Sequence, residues 1–328
     1  MRKVLIILAV IMIASCKLTP IWTVDDFSGN PFSEAYDLTR RGHVISGEVR
    51  DGVLDAEPVS ITIDVPDVIR IPLITDAHVG RDDSGTAEYH DAFISFLQDG
   101  DYPFLIDLGD LVDQGNFTNP DIVSFYKATA DLVNGNHLYV IGNHELHDET
   151  SSSFDRFLSA VYPDRNNARM IRFTFGPLSI YMLDNSHGVF GRRQLECLES
   201  ALREDVNPYK IFITHVNVAT GRKGDQSFII TGMSDEREVH RIMRLMDEYG
   251  VSLILSGHHH KGDIEYHFTK NTGEFNAAAF HRRDSFLDFE SRGYFYLLEL
   301  NTTENEIRII QHSSETGETT GRVFSFKA

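Results

Sequence analysis

Apolar positions along most of the chain follow two alternating spacings, and these spacings predict its secondary structure. Apolar runs with strand-like spacing predict strands, and apolar residues three or four positions apart predict helices. The predicted strands are Ile69–Thr75, Phe104–Leu108, Leu138–Ile141, Ile171–Phe175, Ser179–Leu183, Lys210–Thr214 and Val251–Leu255. The predicted helices are Ala87–Leu97, Pro120–Val133, Ser153–Ala160, Arg192–Arg203 and Asp235–Tyr249. This order indicates an α/β fold with helices outside a sheet.

The two ends of the chain show a different pattern. After His260 the helical spacing stops, and closing strands are predicted at Ile264–Phe268, Glu274–Ala279, Tyr294–Leu300 and Glu306–Gln311. Before the main domain, two strands are predicted at Val44–Arg50 and Val59–Val65. We therefore divide the chain into a leader of residues 1–15, a tether with a short β extension at 16–66, and a main domain at 67–328. Pro72 interrupts the first strand of that domain, which is tolerable if its missing donor faces a sheet edge or a bulge.

The N-terminus has the pattern of a secretory signal sequence. Arg2 and Lys3 precede the apolar run Val4–Ile13, which has about half of the roughly 20 residues that a bilayer-spanning helix needs. Residues 13–16, Ile-Ala-Ser-Cys, also resemble the lipobox of bacterial lipoproteins, in which the cysteine is acylated. Several acyl chains on Cys16 would anchor the protein stably. We predict an extracytoplasmic protein, lipid-anchored to a bacterial membrane; the alternative is an ordinary cleaved signal with an incidental cysteine.

Charge narrows the classes of partner. The chain has 328 residues and a formal net charge of −19, which disfavours nucleic acid because such binding surfaces are basic. A phosphate substrate stays possible, since bound cations can invert the local field. The other cysteine, Cys197, lies in a helical pattern and is predicted to be a small buried residue without a disulfide.

Acidic, amide and histidine residues cluster directly after five of the predicted strands. The clusters are Asp76-Ala77-His78, Gly109-Asp110-Leu111-Val112-Asp113, Gly142-Asn143-His144-Glu145, His215 and Gly257-His258-His259-His260. Loops that leave the carboxyl ends of strands in an open α/β sheet converge on one crevice. Carboxylate oxygens and imidazole nitrogens are ligands for divalent cations. The glycines would permit tight turns and close approach of these ligands.

This series of motifs resembles the calcineurin-like metallophosphoesterase family, over residues from about 69 to 300. The resemblance implies a four-layer α/β/β/α sandwich of two mixed sheets flanked by helices, and a centre of two divalent metal ions. It also implies the ligands: Asp76, His78 and His260 for one ion, Asn143, His215 and His258 for the other, and Asp110 bridging both. Manganese, iron and zinc all suit such ligands, so the native metals stay open.

The resemblance also implies a mechanism. Two ions about 3.5–4 Å apart can share a hydroxide that attacks phosphorus in line with the leaving oxygen. His144 would then act as the general acid toward the leaving oxygen, with the Asp113 carboxylate holding its orientation.

Other polar residues have weaker support. Arg81, His147 and His187 are weak candidates for substrate contacts: a solvated loop charge is favoured for Arg81, and a role away from the substrate is favoured for the two histidines. His259 is expected to point away from the metals because it is the middle residue of His-x-His. The remaining histidines have no motif and are predicted to be structural or exposed: His43, His90, His137, His240, His267 and His281.

Two departures from the family pattern refine the prediction. Many phosphoprotein phosphatases of the family carry Arg directly after Gly-Asp-x-x-Asp, where this chain has Gln114. The purple acid phosphatase branch uses a tyrosine ligand near Gly-Asp, and none occurs in Gly109–Asp113. Both departures favour histidine and carboxylate chemistry similar to that of bacterial phosphodiesterase-like members.

We therefore predict a metal-dependent phosphoric ester hydrolase, acting outside the cytoplasm on a phosphodiester or a phosphomonoester. The alternatives are a catalytically silent, envelope-associated binding protein on the same fold, and a nuclease. The sequence fixes neither the substrate nor the oligomeric state.

Overall fold

The computed structural model describes most of the chain after residue 63, and three short strands before it. The described ranges are 36–37, 42–45, 56–59, 64–79, 86–113, 120–133, 135–146, 170–219, 232–233, 235–260, 263–281 and 293–328. The early strands are β1 (Tyr36–Asp37), β2 (Gly42–Ile45) and β3 (Ala56–Val59). The strands of the main domain are β4 (Val68–Ile74), β5 (Leu105–Asp107), β6 (His137–Tyr139), β7 (Ile171–Phe175), β8 (Leu178–Met182), β9 (Tyr209–Ile213), β10 (Leu253–Ser256), β11 (Ile264–His267), β12 (Gly273–Asn276), β13 (Tyr294–Asn301), β14 (Glu306–Ser313) and β15 (Thr319–Lys327).

Four helices and one short turn complete the described elements. They are α1 (Thr86–Gln98), α2 (Pro120–Leu132), α3 (Arg192–Glu204) and α4 (Glu236–Tyr249), with a 3₁₀ turn at His144–Leu146. Helix α4 begins where the Asp235 carboxylate accepts the Arg237 N–H at 2.8 Å. It ends at Gly250, which adopts the left-handed conformation common at helix C-termini.

Most of the predicted elements are confirmed, with ends displaced by at most three residues from position 69 onward. The predicted helix at 153–160 lies outside the described residues. The two predicted early strands are displaced toward the N-terminus, as β2 and β3 show. Strand β15 was not predicted, because its first half has no alternation of apolar residues and contains Gly321.

The strands form two mixed sheets and one small antiparallel pair, β2 with β3. The first sheet has the order β1-β7-β8-β9-β10-β12-β11, with β8, β9, β10 and β12 parallel. The second sheet has the order β15-β14-β13-β4-β5-β6, with β4, β5 and β6 parallel. Two mixed sheets with flanking helices confirm the predicted fold class.

Alternating side chains divide the interior into layers. In β9, Ile211 and Ile213 belong to the larger core, whereas Phe212 packs with the apolar faces of α3 and α4. In β13, Phe295 contacts Phe93 of α1, with ring centroids 5.0 Å apart. Its neighbour Tyr296 faces Phe275 of the first sheet at 5.4 Å. Period-two alternation thus places helices outside both sheets and an apolar layer between them.

Pro72 lies in β4, which has β13 on one side and β5 on the other. It pairs with Leu297 of β13 on one side. Pairing of β4 with β5 begins only at Leu73, so the missing N–H of Pro72 falls before that ladder starts. Among the described helices, none is long and apolar enough to cross a membrane.

Candidate metal centre

The five polar clusters meet where the carboxyl ends of strands from both sheets lie together. The loops after β4 and β5 are joined by backbone hydrogen bonds from Asp76 to Gly109 and from His78 to Asp110, each 2.9 Å. The loop after β10 reaches them from the other sheet, because the His258 N–H donates to the Asp76 carboxylate at 2.9 Å. Clusters remote in sequence therefore contact one another.

The seven residues predicted to bind metal form two groups that share Asp110. The first group, whose ligand atoms lie within 4.8 Å of one another, contains Asp76, His78, Asp110 and His260. The second contains Asp110, His215 and His258. Asn143 joins the second group, since its Oδ1 lies 3.1 Å from His215 Nε2. The structure thus brings together the two predicted sets, while their role as metal ligands stays a prediction.

Asp110 lies between the two groups. Its Oδ1 accepts the His144 N–H at 2.8 Å, which fixes the carboxylate. Its Oδ2 lies 3.1 Å from His215 Nε2 and 3.9 Å from His78 Nε2. One oxygen is therefore held by the backbone while the other faces histidines of both groups, as a bridging ligand would.

The two carboxylate oxygens of Asp76 also face different partners. Its Oδ2 accepts hydrogen bonds from the Thr75 hydroxyl at 2.7 Å and the His258 N–H at 2.9 Å. Its Oδ1 faces His260 Nε2 at 2.8 Å. Although burial opposes ionisation, His260 and other nearby histidines hold the pKa of Asp76 well below its usual range. The Asp76 carboxylate is thus anionic and aimed into the first group.

His215 is oriented by a bond across the two sheets. Its Nδ1 lies 2.8 Å from the Leu108 carbonyl oxygen, which can only accept, so Nδ1 donates. In the neutral ring Nε2 then carries a lone pair, and it faces oxygens of Asp110 and Asn143, both at 3.1 Å. Three electron-pair donors this close are stabilised by a proton on Nε2 or by a bound cation among them.

Electrostatics at this position show how strongly the site attracts positive charge. Burial lowers the pKa of His215, but the Asp110 carboxylate outweighs it and raises the value to about 10. Burial lowers the pKa of His258 to about 3, so that ring is neutral and able to coordinate. The donor set therefore fits divalent cations, which would replace the proton on His215.

The backbone at the site is strained. Six non-glycine residues in the described part of the chain have positive φ, and five are predicted ligands. These are Asp76 (52°), His78 (42°), Asp110 (54°), His258 (70°) and His260 (62°). Each such conformation costs about 1–3 kcal/mol, and such residues cluster at functional sites. The loops thus hold the side chains in directions that ordinary extended backbone would not give.

Two glycines permit the close approach of the loops. A Cβ on Gly142 would collide with Asp110 Oδ1, and one on Gly257 would collide with the Thr75 hydroxyl. Gly257 would also bring its Cβ to 2.7 Å from Asp76 Oδ2. A side chain at either position would displace the carboxylates, as the sequence pattern predicts.

Glu145 fastens two of the ligand loops together. Its buried carboxylate accepts N–H groups of Gly142 at 2.6 Å, Asp110 at 3.1 Å and Val112 at 3.3 Å. Burial, and then the nearby Asp110, raise its pKa to about 8. The sequence motif contains this residue, but its spacing gives no indication that it serves as an anchor for backbone groups.

Asp113 orients two histidines rather than one. Its Oδ1 lies 3.1 Å from His78 Nδ1 and 3.7 Å from His144 Nδ1. His144 Nδ1 instead donates to the Asp113 carbonyl oxygen. Asp113 thus contacts His144 through its carbonyl oxygen as well as its carboxylate, and the carboxylate lies closer to His78, a predicted metal ligand.

His144 is positioned at the entrance to the centre. Its side chain is 25% exposed, and its Nε2 lies 3.9 Å from Asp110 Oδ2. Since Nδ1 donates to a carbonyl, Nε2 is the atom that gains or releases a proton. This geometry suits the predicted general acid, a role that stays a prediction.

The other candidates are less informative. Arg81, His147 and Gln114 lie outside the described residues. His187 lies in the turn after β8 and, like His259, belongs to none of the ligand groups among the described residues.

Sequence reasoning missed residues that hold the loop after β9. Asn185 Oδ1 accepts the N–H groups of His215 at 3.2 Å and Val216 at 2.9 Å. Glu274 of β12 accepts those of Val218 at 2.6 Å and Ala219 at 2.7 Å. Asn185 lies shortly after the end of β8, as the other clusters lie after strand ends, and this position could have indicated a role at the site. Glu274 lies inside a strand, where the sequence gives no signal of a buried anchor.

Comparison with known families agrees with this geometry. The model for calcineurin-like phosphoesterases matches residues 69–262, more than half of the chain. The chain belongs to the calcineurin-like phosphoesterase family. The matched segment includes every predicted metal ligand, and the predicted class of phosphoester hydrolase is confirmed at the level of the family. No curated protein matches the sequence.

Solved structures share the fold of this phosphoesterase. A purple acid phosphatase from yellow lupin (Lupinus luteus) seeds is 14% identical, with a TM-score of 0.55 over 83% of this chain and 56% of that one. A dimetal phosphatase from Danio rerio is 11% identical, with a TM-score of 0.55 over 79% and 98%. GAP50, the anchor in the inner membrane complex of Plasmodium, is 16% identical, with a TM-score of 0.52 over 79% and 89%. The chain spans only 56% of the purple acid phosphatase, and these identities show the fold alone.

Replacing Glu145 by Gln should destabilise the phosphoesterase and weaken its metal binding. The amide NH₂ would face a backbone N–H, leaving buried donors unsatisfied at a cost of about 1–3 kcal/mol in the free energy of unfolding. Urea denaturation of metal-free protein and manganese titration measure the two effects. The exposed Glu248→Gln variant is the control and should match wild type in both. Unchanged stability and affinity in Glu145→Gln would contradict the anchoring role.

Proposed function

We propose that the protein is a two-metal phosphoesterase that hydrolyses a small phosphomonoester or phosphodiester. The observation that carries this proposal is the position of Asp110, whose free oxygen faces histidines of both ligand groups. Two bound cations would lower the pKa of a water molecule and stabilise charge on the reacting phosphoryl group. Family membership and the complete ligand set support hydrolysis over a catalytically silent binding role.

The protein's own residues prepare the site in three ways. Asp76 and Asp110 provide fixed negative charge for the cations, and backbone donors hold each through one oxygen. His215, fixed by Leu108, supplies a directed nitrogen. His144 presents Nε2 beside Asp110 and would donate its proton to the leaving oxygen.

A small substrate is favoured over a nucleic acid. The net charge is −19, so a polyanion would be repelled along most of its length. A single phosphate group needs only the local positive charge of the metal centre. We therefore expect monoesters or diesters of low molecular mass to react better than DNA or RNA.

We also propose that the enzyme acts outside the cytoplasm, anchored through an acylated Cys16. The basic residues, apolar run and small residues before Cys16 support this location. These residues lie outside those that the structure describes.

Purified protein with manganese should hydrolyse aryl phosphomonoesters or diesters, and Asp110→Asn should lower the rate by at least about 100-fold, the size of effect typical for one electrostatic group. The variant should also bind less manganese. The exposed Asp247→Asn variant serves as control and should retain both properties. Two bound ions without turnover of any ester would indicate the silent binding protein. Turnover of DNA or RNA alone would indicate a nuclease.

Replacing His144 by Asn should slow hydrolysis most for esters with poor leaving groups. Asn can keep a donor near the Asp113 carbonyl but has no Nε2 proton, so protonation of the leaving oxygen is lost. We expect about a 10²–10⁴-fold decrease with an alkyl or phenyl ester and a much smaller one with a nitrophenyl ester, at unchanged metal content. Equal decreases for both esters would refute the general-acid role.

Replacing Cys16 by Ser should release the protein from the membrane. Wild type, expressed in a bacterium with lipoprotein-processing enzymes, should partition into the detergent phase and incorporate labelled fatty acid. Cys16→Ser should do neither, whereas the control Cys197→Ser should behave as wild type. Wild-type protein recovered in the aqueous phase without label would show an ordinary cleaved signal instead.

A further inference from the structure

His281, which has no motif in the sequence, lies against the first ligand group. Two backbone bonds bring the chain after β12 to this place: Ala277 N–H donates to Ser256 O and Phe280 N–H donates to Thr75 O, each at 2.8 Å. His281 is only 2% exposed. The sequence prediction that it is structural or exposed therefore misses its position beside the candidate metal centre.

The imidazole of His281 is held through one nitrogen by a predicted metal ligand. Its Nδ1 contacts the carbonyl oxygen of Asp76, and because a carbonyl only accepts, Nδ1 is the donor. Asp76 has a φ of 52°, a conformation that persists only where neighbours enforce it. The bond from His281 fixes the direction of the Asp76 carbonyl and thereby the strained turn that aims the carboxylate.

The other nitrogen of His281 is not placed as a ligand. Nε2 is buried and has no hydrogen-bond partner among the described residues. The ring meets His78 and His260 edge-on, with centroids 4.9 and 5.6 Å apart. His281 nevertheless belongs to neither ligand group, whose atoms lie within 4.8 Å of one another. Its contacts thus suit orientation of the ligands rather than coordination.

We propose that His281 is a positioning residue for the first metal subsite, acting through its Nδ1–H bond to the Asp76 carbonyl. This inference rests on the proposed metal centre. It adds to that centre a residue from the segment after β12. This segment is the third loop of the first sheet at the site, after those that follow β9 and β10. Through His281 it would influence the metal affinity of Asp76, which follows a strand of the second sheet.

Three substitutions of His281 distinguish the contributions of its two ring nitrogens. His281→Phe removes both, His281→Asn places an amide N–H near the position of Nδ1, and His281→Gln places its amide near the position of Nε2. Positioning predicts that Phe and Gln weaken binding of one of two manganese ions by about 10–100-fold, as loss of groups supporting metal ligands typically does. The Asn variant should stay within about threefold of wild type.

The measurement is manganese affinity and stoichiometry by competition with a chelator, using the full protein and no substrate. Melting of the metal-free variants shows whether each is folded. His312→Phe is a matched control, because His312 also donates Nδ1 to a carbonyl, that of Gly317 at 3.0 Å, and lies outside both ligand groups. This control should bind manganese as wild type does.

The outcomes distinguish this inference from the proposed function. If wild type binds no manganese, the metal centre itself is wrong. If wild type binds two ions and His281→Phe binds them equally well, the metal centre stands and His281 has no positioning role. Rescue by Gln but not by Asn would show that Nε2 coordinates directly and would overturn positioning through Nδ1.

Discussion

Electron-pair donors are concentrated in one buried space, and much of the surrounding structure exists to hold them there. Asp76 directs one oxygen toward His260 of the first group, and Asp110 directs one toward His215 of the second. Anions and lone pairs repel one another in a medium of low dielectric constant unless a cation neutralises them. The loops, five of whose residues also hold strained left-handed conformations, therefore need external support, and backbone N–H groups and the Glu145 carboxylate provide it.

Support for each loop comes from a different part of the fold. Glu145 joins the loops after β5 and β6, whereas Glu274 and Asn185 hold the loop after β9. His215 and His258 donate hydrogen bonds across the gap between the sheets. These supports are buried carboxylates and an amide, so the predicted ligand atoms are held by hydrogen bonds from neighbouring parts of the fold as well as by their own loops.

The periodicity of apolar residues was sufficient to predict the strand ends and helices outside a sheet, so the polar clusters could be placed at strand ends without a structure, whereas the two sheets and the ligand roles were predicted only from the resemblance to the family. The same periodicity failed at β15, where exposed edge residues do not alternate. The supports of the site could not be predicted either. Glu274 and His281 look like ordinary residues in the sequence, and their role comes only from tertiary contacts.

The hydrogen bond from His215 to Leu108 has a consequence for the whole protein. It joins a predicted ligand of the first sheet to the second sheet, which supplies other predicted ligands, so an ion bound to them would tie together two halves of the fold. Binding to the native state alone stabilises a protein in proportion to the logarithm of ligand concentration. Metal scarcity would therefore loosen the join between the sheets and expose the chain to proteases. The abundance of the protein would thus follow the metal supply of its compartment.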